Sequence, residues 1–328
     1  MQSRFKVFVA DPIHEGGMER LAEHFEVVHL PVGTPLDERN AAAVAADAIV
    51  VRLFKITPDL VARSPKLKAV IKHGIGVDNI DIDACTAKGV LVANTPGGSN
   101  AYCVAEGAVT LLLAAYRKVR ERHEAVVQGR FMEARHTPVT ESLWGKTVGI
   151  LGFGQIGRYT AQICKGFNCK ILAYDPWAAE ETFEKAGVER VTDLNEILSR
   201  SDAISVHVPL SKETHHLIGA RELARMKPGA VIVNTARGGI IDEDALAHSL
   251  RSGHIAGAGI DVFEEEPPSA ASPLLAAPNT VLSPHVAGMS QDSLRELGEA
   301  VAVATTLALG GTMPATTLNT QAWDRRGQ

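Results

Sequence analysis

Aromatic residues are scarce, at 5% of the chain, and there are only four cysteines. Cys85, Cys103, Cys164 and Cys169 contain no CxxC pair. A chain of 328 residues is also long enough to bury a core without disulfide staples. Buried, reduced thiols are the expectation. No Cys/His cluster has zinc-ligand spacing, so no metal is expected. His215 and His216 are neighbours; on a regular helix or strand they point apart, and both are read as facing solvent. Basic charge is not in excess either: 33 Lys+Arg against 38 Asp+Glu gives a net charge of -5. Such a balance offers no general attraction to nucleic acid or to an anionic membrane, and neither is expected as a partner. Long apolar runs are missing. The best, residues 109–116 and 300–309, fall well short of the ~20 residues that span a bilayer. The N-terminal run stops at Asp11, too short for a signal segment, so a cytoplasmic protein is expected.

What is present suits a globular α/β chain, with 45% hydrophobic residues, 22% charged residues and 29 glycines. At ~150 residues per domain, the length suggests about two domains. Short β-rich runs at 6–10, 26–30, 48–52, 68–71 and 90–93 alternate with helical patterns such as 15–24 and 37–46. That alternation predicts a parallel sheet covered by helices. A long helix is predicted from 100 to about 128, closed by Gly129, with a polar stretch from 130 to 141 after it. A second α/β series has predicted strands at 147–151, 170–174, 203–208, 230–234, 256–260 and 281–283, then a last helix at 291–309.

The second series opens on Gly152-Phe153-Gly154-Gln155-Ile156-Gly157, directly after the apolar TVGIL. Gly152 permits a tight turn, Gly154 lets backbone approach a pyrophosphate, and Gly157 allows close helix–strand packing. The helix that follows offers free N–H groups and the positive end of its dipole to phosphates. GxGxxG alone marks only a Gly-rich turn. Here a strand precedes it, a helix follows, and Asp175 ends the next strand, KILAYD. A carboxylate there accepts from ribose hydroxyls and repels a 2′-phosphate, which favours NAD over NADP. The competing reading of Asp175 is a turn-initiating acid before Pro176.

A nicotinamide enzyme acting on a carbonyl must polarise it, deliver a proton, and hold the proton donor in place. Three residues in loops after strands are candidates. Arg237, in NTARGG, carries a planar guanidinium suited to a carboxylate beside a carbonyl. Glu266 ends the acidic run in DVFEEEPP, and His285 sits in LSPHVAG. Taken singly, each also fits a bland role: a surface arginine, any of three solvated acids, a structural histidine.

Together with GKTVGILGFGQIGR, AYDP, HVPL, NTARGGIIDEDAL, GAGIDVFEEEPP, HGIGVDNID and NTPG, these segments resemble the D-isomer-specific 2-hydroxyacid dehydrogenase family. The phosphoglycerate dehydrogenase branch is the most similar, and the resemblance runs from about residue 45 to 310. It implies a Rossmann-type NAD domain at 100–288 and a discontinuous, flavodoxin-like substrate domain at 1–99 and 289–328, with a cleft between them. The implied activity is NAD-dependent interconversion of a D-2-hydroxy acid and its 2-keto acid, in a homodimer. His285 is implied as proton donor and acceptor, Glu266 as the partner that favours its imidazolium, and Arg237 as the residue that orients substrate. Arg52, Gly76, Val77 and Asn100 are implied substrate contacts. On the cofactor side stand Gly152, Gly154, Gln155, Ile156, Gly157, Asp175, His207, Val208, Pro209, Thr214, Thr235, Ala236, Arg237, Asp261, His285 and Gly288. Glycines 74, 76, 97, 152, 154, 157, 238 and 288 are expected in loops where backbone approaches cofactor or substrate.

The chain departs from the branch pattern in places. RLFKIT is one residue shorter than the corresponding loop, and Ile75 stands where phosphoglycerate enzymes often carry Thr. The sequence ends soon after the last helix, so no regulatory domain and no serine feedback through one are expected. Two alternatives within the fold remain: a glyoxylate/hydroxypyruvate reductase, and a non-catalytic NAD(H)-sensing protein. A short-chain reductase is excluded, because none of Tyr102, Tyr116, Tyr159 and Tyr174 has Lys four residues on.

Overall fold

The computed structural model describes residues 4–96, 98–136 and 140–325. Gly97, expected in a cleft-facing loop, lies outside the described residues. The chain divides into two units, residues 1–100 with 289–328, and residues 101–288.

The first unit begins as a βα alternation: β1 (Lys6–Val9), α1 (Glu15–His24), β2 (Glu26–His29), α2 (Leu36–Val44), β3 (Ala48–Val51), α3 (Pro58–Arg63), β4 (Ala69–Lys72), α4 (Ile82–Ala87) and β5 (Leu91–Ala93). All pairings are parallel, in the order β2-β1-β3-β4-β5. Strands β3, β4 and β5 are buried along their whole length, which is why they read as unbroken apolar runs. Thr57 and Asp81 cap α3 and α4 by accepting from Leu60 N and Ala84 N.

The chain passes between units within α5 (Gly98–Tyr116). The predicted long helix is in fact two, α5 and α6 (Val119–Val127), and α7 (Phe131–His136) occupies the predicted polar stretch. The break falls at Lys118, whose φ is +51°. Apolar spacing carried the prediction through, but Val119, Val126 and Val127 of α6 are exposed and only Ala125 is buried. Next come β6 (Thr147–Leu151), α8 (Gln155–Lys165), β7 (Lys170–Tyr174), α9 (Glu180–Ala186), β8 (Glu189–Arg190), α10 (Leu194–Arg200), β9 (Ala203–Val206), α11 (Ala220–Arg225), β10 (Ala230–Asn234), α12 (Glu243–Arg251), β11 (Ile255–Ile260) and β12 (Thr280–Leu282). Their parallel sheet runs β12-β11-β10-β9-β6-β7-β8, a Rossmann order that reverses between β6 and β9. Helix α8 buries Gly157, Thr160, Ala161 and Cys164, the one-face spacing of a helix on a sheet.

The final helix, α13 (Gln291–Leu309), belongs to the first unit and packs on α1. The two helices meet at Gly17 and Gly298; a Cβ on Gly17 would lie 2.7 Å from the Gly298 carbonyl oxygen. None of the four cysteines is in a disulfide, and burial pushes the thiols of Cys85 and Cys164 up to about 12. Cys103 is half-buried, contrary to the expectation of four buried thiols, because it lies on the partly solvated side of α5. No helix among the described residues is long and apolar enough to cross a membrane.

Candidate active site

In the second unit, β6 delivers the chain to Gly152, whose φ is +90°. A side chain there would also strike the His207 carbonyl group at 2.7 Å, so the turn requires glycine on both counts. A Cβ on Gly157 would come within 2.1 Å of the Gly152 carbonyl oxygen, so α8 is packed directly on the turn. A Cβ on Gly154 would meet nothing within 4 Å, which leaves an open cradle beside the first turn of α8. Gln155, Ile156 and Gly157 begin that helix, where N–H groups have no intrahelical acceptor. A helix start with unpaired N–H groups beside open space is an arrangement that attracts anions.

Asp175 makes the turn that one of its two readings expects. Oδ1 accepts from Trp177 N (2.9 Å) and Ala178 N (3.1 Å), which makes the turn before the next helix. Oδ2 accepts from Phe153 N at 2.8 Å, which ties the acid to the glycine turn. A carboxylate has about four acceptor positions, so further donors can still be received. After β9, burial pushes the His207 imidazole down to about 3, and its Nε2 pairs with Ser205 Oγ at 2.9 Å. His207 is therefore a neutral wall rather than a proton carrier. Val208 is buried beneath the loop. Thr214 Oγ1 donates to Pro209 O (2.6 Å) and accepts from Ser211 N (2.7 Å), which closes that loop. Thr235 Oγ1 is buried with no hydrogen-bond partner among the described residues.

Buried Asn234, at the end of β10, shapes the loop that carries Arg237. Its Oδ1 accepts from Ala236 N at 3.0 Å and its Nδ2 donates to Arg237 O at 2.8 Å. The sequence suggests Gly238 as a place for substrate or cofactor to approach. Instead it meets protein: a Cβ there would lie 1.8 Å from Phe263 O. That close contact brings the Arg237 loop against the loop that carries Glu266.

Three consecutive acids had been left open by sequence, and the fold separates them. Glu264 Oε1 lies 2.6 Å from His216 Nε2, whereas Glu266 Oε2 lies 2.8 Å from His285 Nδ1. His216 sits in a turn at φ +50°, and its ring stacks on His215 at 4.0 Å rather than pointing away from it. For Glu266, burial alone raises the carboxyl pKa. The His285 hydrogen bond and charge, Phe263 N–H and the Arg237 charge outweigh it, and the net shift is downward. An ionised carboxylate only accepts, so His285 Nδ1 is the donor in this pair.

His285 has φ +56°, an unfavourable region for a residue with a Cβ. Asp261 holds it there. Asp261 is 1% exposed, and its carbonyl accepts from His285 N at 2.8 Å. Oδ1 accepts from Ser283 Oγ and from Val286 N (2.9 Å), and Oδ2 accepts from Ala287 N (2.9 Å). Its carboxylate is thus engaged by the histidine loop, a role not visible in sequence; Gly288 follows that loop.

The remaining candidates lie in the first unit. Gly76 and Val77 follow β4, and their N–H groups donate to nothing among the described residues. Asn100 Nδ2 donates to Ser293 Oγ of α13 at 3.1 Å. Arg52 follows β3, with Nη2 against Met289 Sδ. Next to it, burial and the Arg52 charge push buried His73 down to about 4. No group of three metal-ligating side chains occurs among the described residues.

Residues 109–287 match the family described as D-isomer specific 2-hydroxyacid dehydrogenase, NAD binding domain. The chain belongs to that family. It is 40% identical to a D-3-phosphoglycerate dehydrogenase of Methanocaldococcus jannaschii over 90% of this chain and 56% of that one. It thus spans little more than half the length of the phosphoglycerate dehydrogenases it matches. A glyoxylate reductase of Korarchaeum cryptofilum is 39% identical over 90% of each chain. A solved glyoxylate reductase from Paecilomyes thermophila superposes with a TM-score of 0.84 at 30% identity, covering 98% of this chain and 100% of that one. The family match covers the glycine turn, Asp175, Arg237, Glu266 and His285, and its NAD-binding description agrees with the cradle at Gly154.

Proposed function

We propose that the protein is an NAD-dependent dehydrogenase that interconverts a D-2-hydroxy acid and its 2-keto acid, similar to phosphoglycerate dehydrogenase. The observation that carries this reading is the His285–Glu266 pair, mounted on backbone that Asp261 holds in the left-handed region. Residues 100–288 hold NAD, and residues 1–99 with 289–328 hold the acid. Bound NAD supplies hydride chemistry. Gln155 and Ile156 N–H groups receive the pyrophosphate, and Asp175 accepts from the ribose. His207, Val208, Pro209, Thr214, Thr235, Ala236, Asp261 and Gly288 line the remaining length of the dinucleotide.

On the substrate, Gly76 and Val77 N–H groups and Asn100 bind the carboxylate end. Arg237 donates to the carbonyl oxygen and its neighbouring carboxylate, stabilising the charge that develops there. His285 Nε2 gives its proton to that oxygen in reduction and takes it back in oxidation. Glu266 fixes the tautomer and offsets the imidazolium charge. Arg52 reads what lies beyond the carbonyl carbon.

The working form is a homodimer in the cytoplasm. Exposed Val126, Val127, Phe131 and Met132 on α6 and α7 support the first statement, and four cysteines without a disulfide suit a reducing compartment. A glyoxylate/hydroxypyruvate reductase is the second reading, supported by the Korarchaeum cryptofilum relative. The test is NADH oxidation with glyoxylate, hydroxypyruvate, pyruvate, bulkier 2-keto acids and phosphohydroxypyruvate, with NADPH as the control coenzyme. Turnover with NADH supports the proposal, and the preferred acid separates the two enzyme readings. NADH binding without turnover of any acid overturns both in favour of an NAD(H) sensor.

A further inference from the structure

In an open α/β sheet, ligands bind beyond the carboxyl ends of strands where the strand order reverses. In the first unit that point lies between β1 and β3. Asp11 closely follows the first of these strands and Arg52 immediately follows the second. The segment Arg52–Phe54 has no ladder or helix of its own to fix it. Side chains fix it instead, from both sides.

One oxygen of Asp11, Oδ2, accepts from three successive backbone groups: Arg52 N (2.7 Å), Leu53 N (2.7 Å) and Phe54 N (2.9 Å). Its other oxygen accepts from Arg39 Nη2 at 3.0 Å. Three consecutive N–H groups on one atom force the backbone into a tight arch around it. The carbonyls of the arch then face other donors. Lys72 Nζ donates to Arg52 O at 2.6 Å, and Asn79 Nδ2 donates to Phe54 O at 2.7 Å. Lys72 and Asn79 are joined in turn, Nζ to Oδ1 at 2.6 Å. Lys72 is 8% exposed. A buried charge is a costly way to hold a loop that neutral side chains also hold, unless the loop's conformation matters closely.

We infer that Asp11, Lys72 and Asn79 are positioning residues for Arg52, and that their arch selects 2-keto acids with an anionic or hydroxylated group beyond the carbonyl. The inference rests on the substrate role proposed for Arg52. Arg52 gains from the clamp a fixed Cα and a narrowed set of side-chain directions. A guanidinium so prepared binds an anion without first ordering its own loop. The clamp acts on KM for acids that reach Arg52, not on the proton transfer at His285.

The experiment compares kcat and KM for glyoxylate, which has nothing beyond its carbonyl carbon, with those for hydroxypyruvate and phosphohydroxypyruvate. The variants are Arg52→Gln, Asp11→Asn, Asn79→Ala and the double variant Arg52→Gln/Asp11→Asn, each checked for folding by circular dichroism. Arg52→Gln is expected to lower selectivity for the longer acid over glyoxylate by about tenfold, the loss of one charge-assisted hydrogen bond. Asp11→Asn is expected to lower it by a comparable factor, through KM, and the double variant to lose no more than Arg52→Gln alone. Asn79→Ala gives the same direction more weakly and serves where Asp11→Asn does not fold. Losses in equal proportion for all acids, unchanged selectivity, or multiplicative losses in the double variant would overturn the inference while leaving the enzyme assignment intact. Wild-type protein inert toward every acid overturns the assignment and this inference together.

Discussion

Replacing Asp261 with Asn is the sharpest single perturbation of the proposed proton-transfer site, because it changes one atom and touches neither His285 nor Glu266. The wild-type carboxylate accepts from Ser283 Oγ, Val286 N and Ala287 N in a buried setting. At ~1.5 kcal/mol or more for each hydrogen bond to a charged group, the grip is about 4–5 kcal/mol. It works against about 1–2 kcal/mol of backbone strain at His285, whose φ is +56°. Asparagine has one acceptor oxygen and one NH2 group. Either side-chain orientation therefore turns a donor toward a backbone N–H, on Val286 or on Ala287. The surviving neutral bonds are worth about 0.5–1.5 kcal/mol each, and the stranded N–H costs about 1–3 kcal/mol.

The grip then no longer exceeds the strain, and the loop relaxes. A displacement near 1 Å at a reacting group costs roughly 100-fold in rate. Asp261→Asn is therefore expected to lower kcat by roughly that factor and to weaken NADH binding, measured by fluorescence titration, by a much smaller one, since Asp261 also lines the proposed dinucleotide site. The double variant with His285→Ala should lose no more than His285→Ala alone, because Asp261 acts through the histidine. Refutation would be a folded Asp261→Asn protein with wild-type kcat, or one whose loss in rate equals its loss in NADH affinity.

Further outcomes follow from the same geometry. His285→Ala should collapse turnover and leave NADH binding nearly intact; equal loss of both would remove the proton-transfer role. Burial holds His73 and His207 neutral, at about 4 and about 3 against the ordinary 6.5 of histidine. As pH falls below 6.5, the unfolded chain binds protons that the fold refuses, so the unfolding free energy from urea titration should drop, by up to about 1.4 kcal/mol per pH unit for each histidine. The lowered pKa values of Asp11 and Glu266 act further down: their stabilisation is complete above the ordinary 3.8 of Asp and 4.5 of Glu and is lost as pH falls through the native ones. His73→Gln should flatten the slope between pH 6.5 and 4.5, and an unchanged slope would contradict the burial argument. Gly17→Ala forces a methyl against the Gly298 carbonyl and should cost about 1–3 kcal/mol, read as a lower melting temperature with unchanged circular dichroism. An unchanged melting temperature would mean that α1 and α13 yield without cost.

Strands buried on both faces were the most legible part of the sequence. TVGIL, KILAY and AVIVN are observed as read, because a sheet covered by helices on both faces confines most polar residues to the strand ends. The glycine turn was legible because each of its glycines answers a local demand. The break at Lys118 was not, because neither Gly nor Pro marks it. The apolar residues that carried the helix prediction through it face outward on α6. The choice of Glu266 over Glu264 was equally hidden. It depends on which acid the loops bring to His285 and which to His216, and those contacts span 19 and 48 residues.

Acids at strand ends show why such sites resist sequence reading. At the carboxyl end of a parallel sheet, backbone N–H groups leave the ladder and need new acceptors. Asp11, Asp175 and Asp261 each lie at or just beyond such an end, and each supplies acceptors to a neighbouring loop: Arg52–Phe54, Phe153, and Val286 with Ala287. The same position and chemistry suit a ligand's hydroxyls. An acid at a strand end therefore reads identically in sequence whether it binds a ligand or shapes the loop that does. What separates the roles is how many of its lone pairs the protein already uses. Asp11 and Asp261 direct theirs to loops bearing Arg52 and His285, so their substitution should be felt through those two residues.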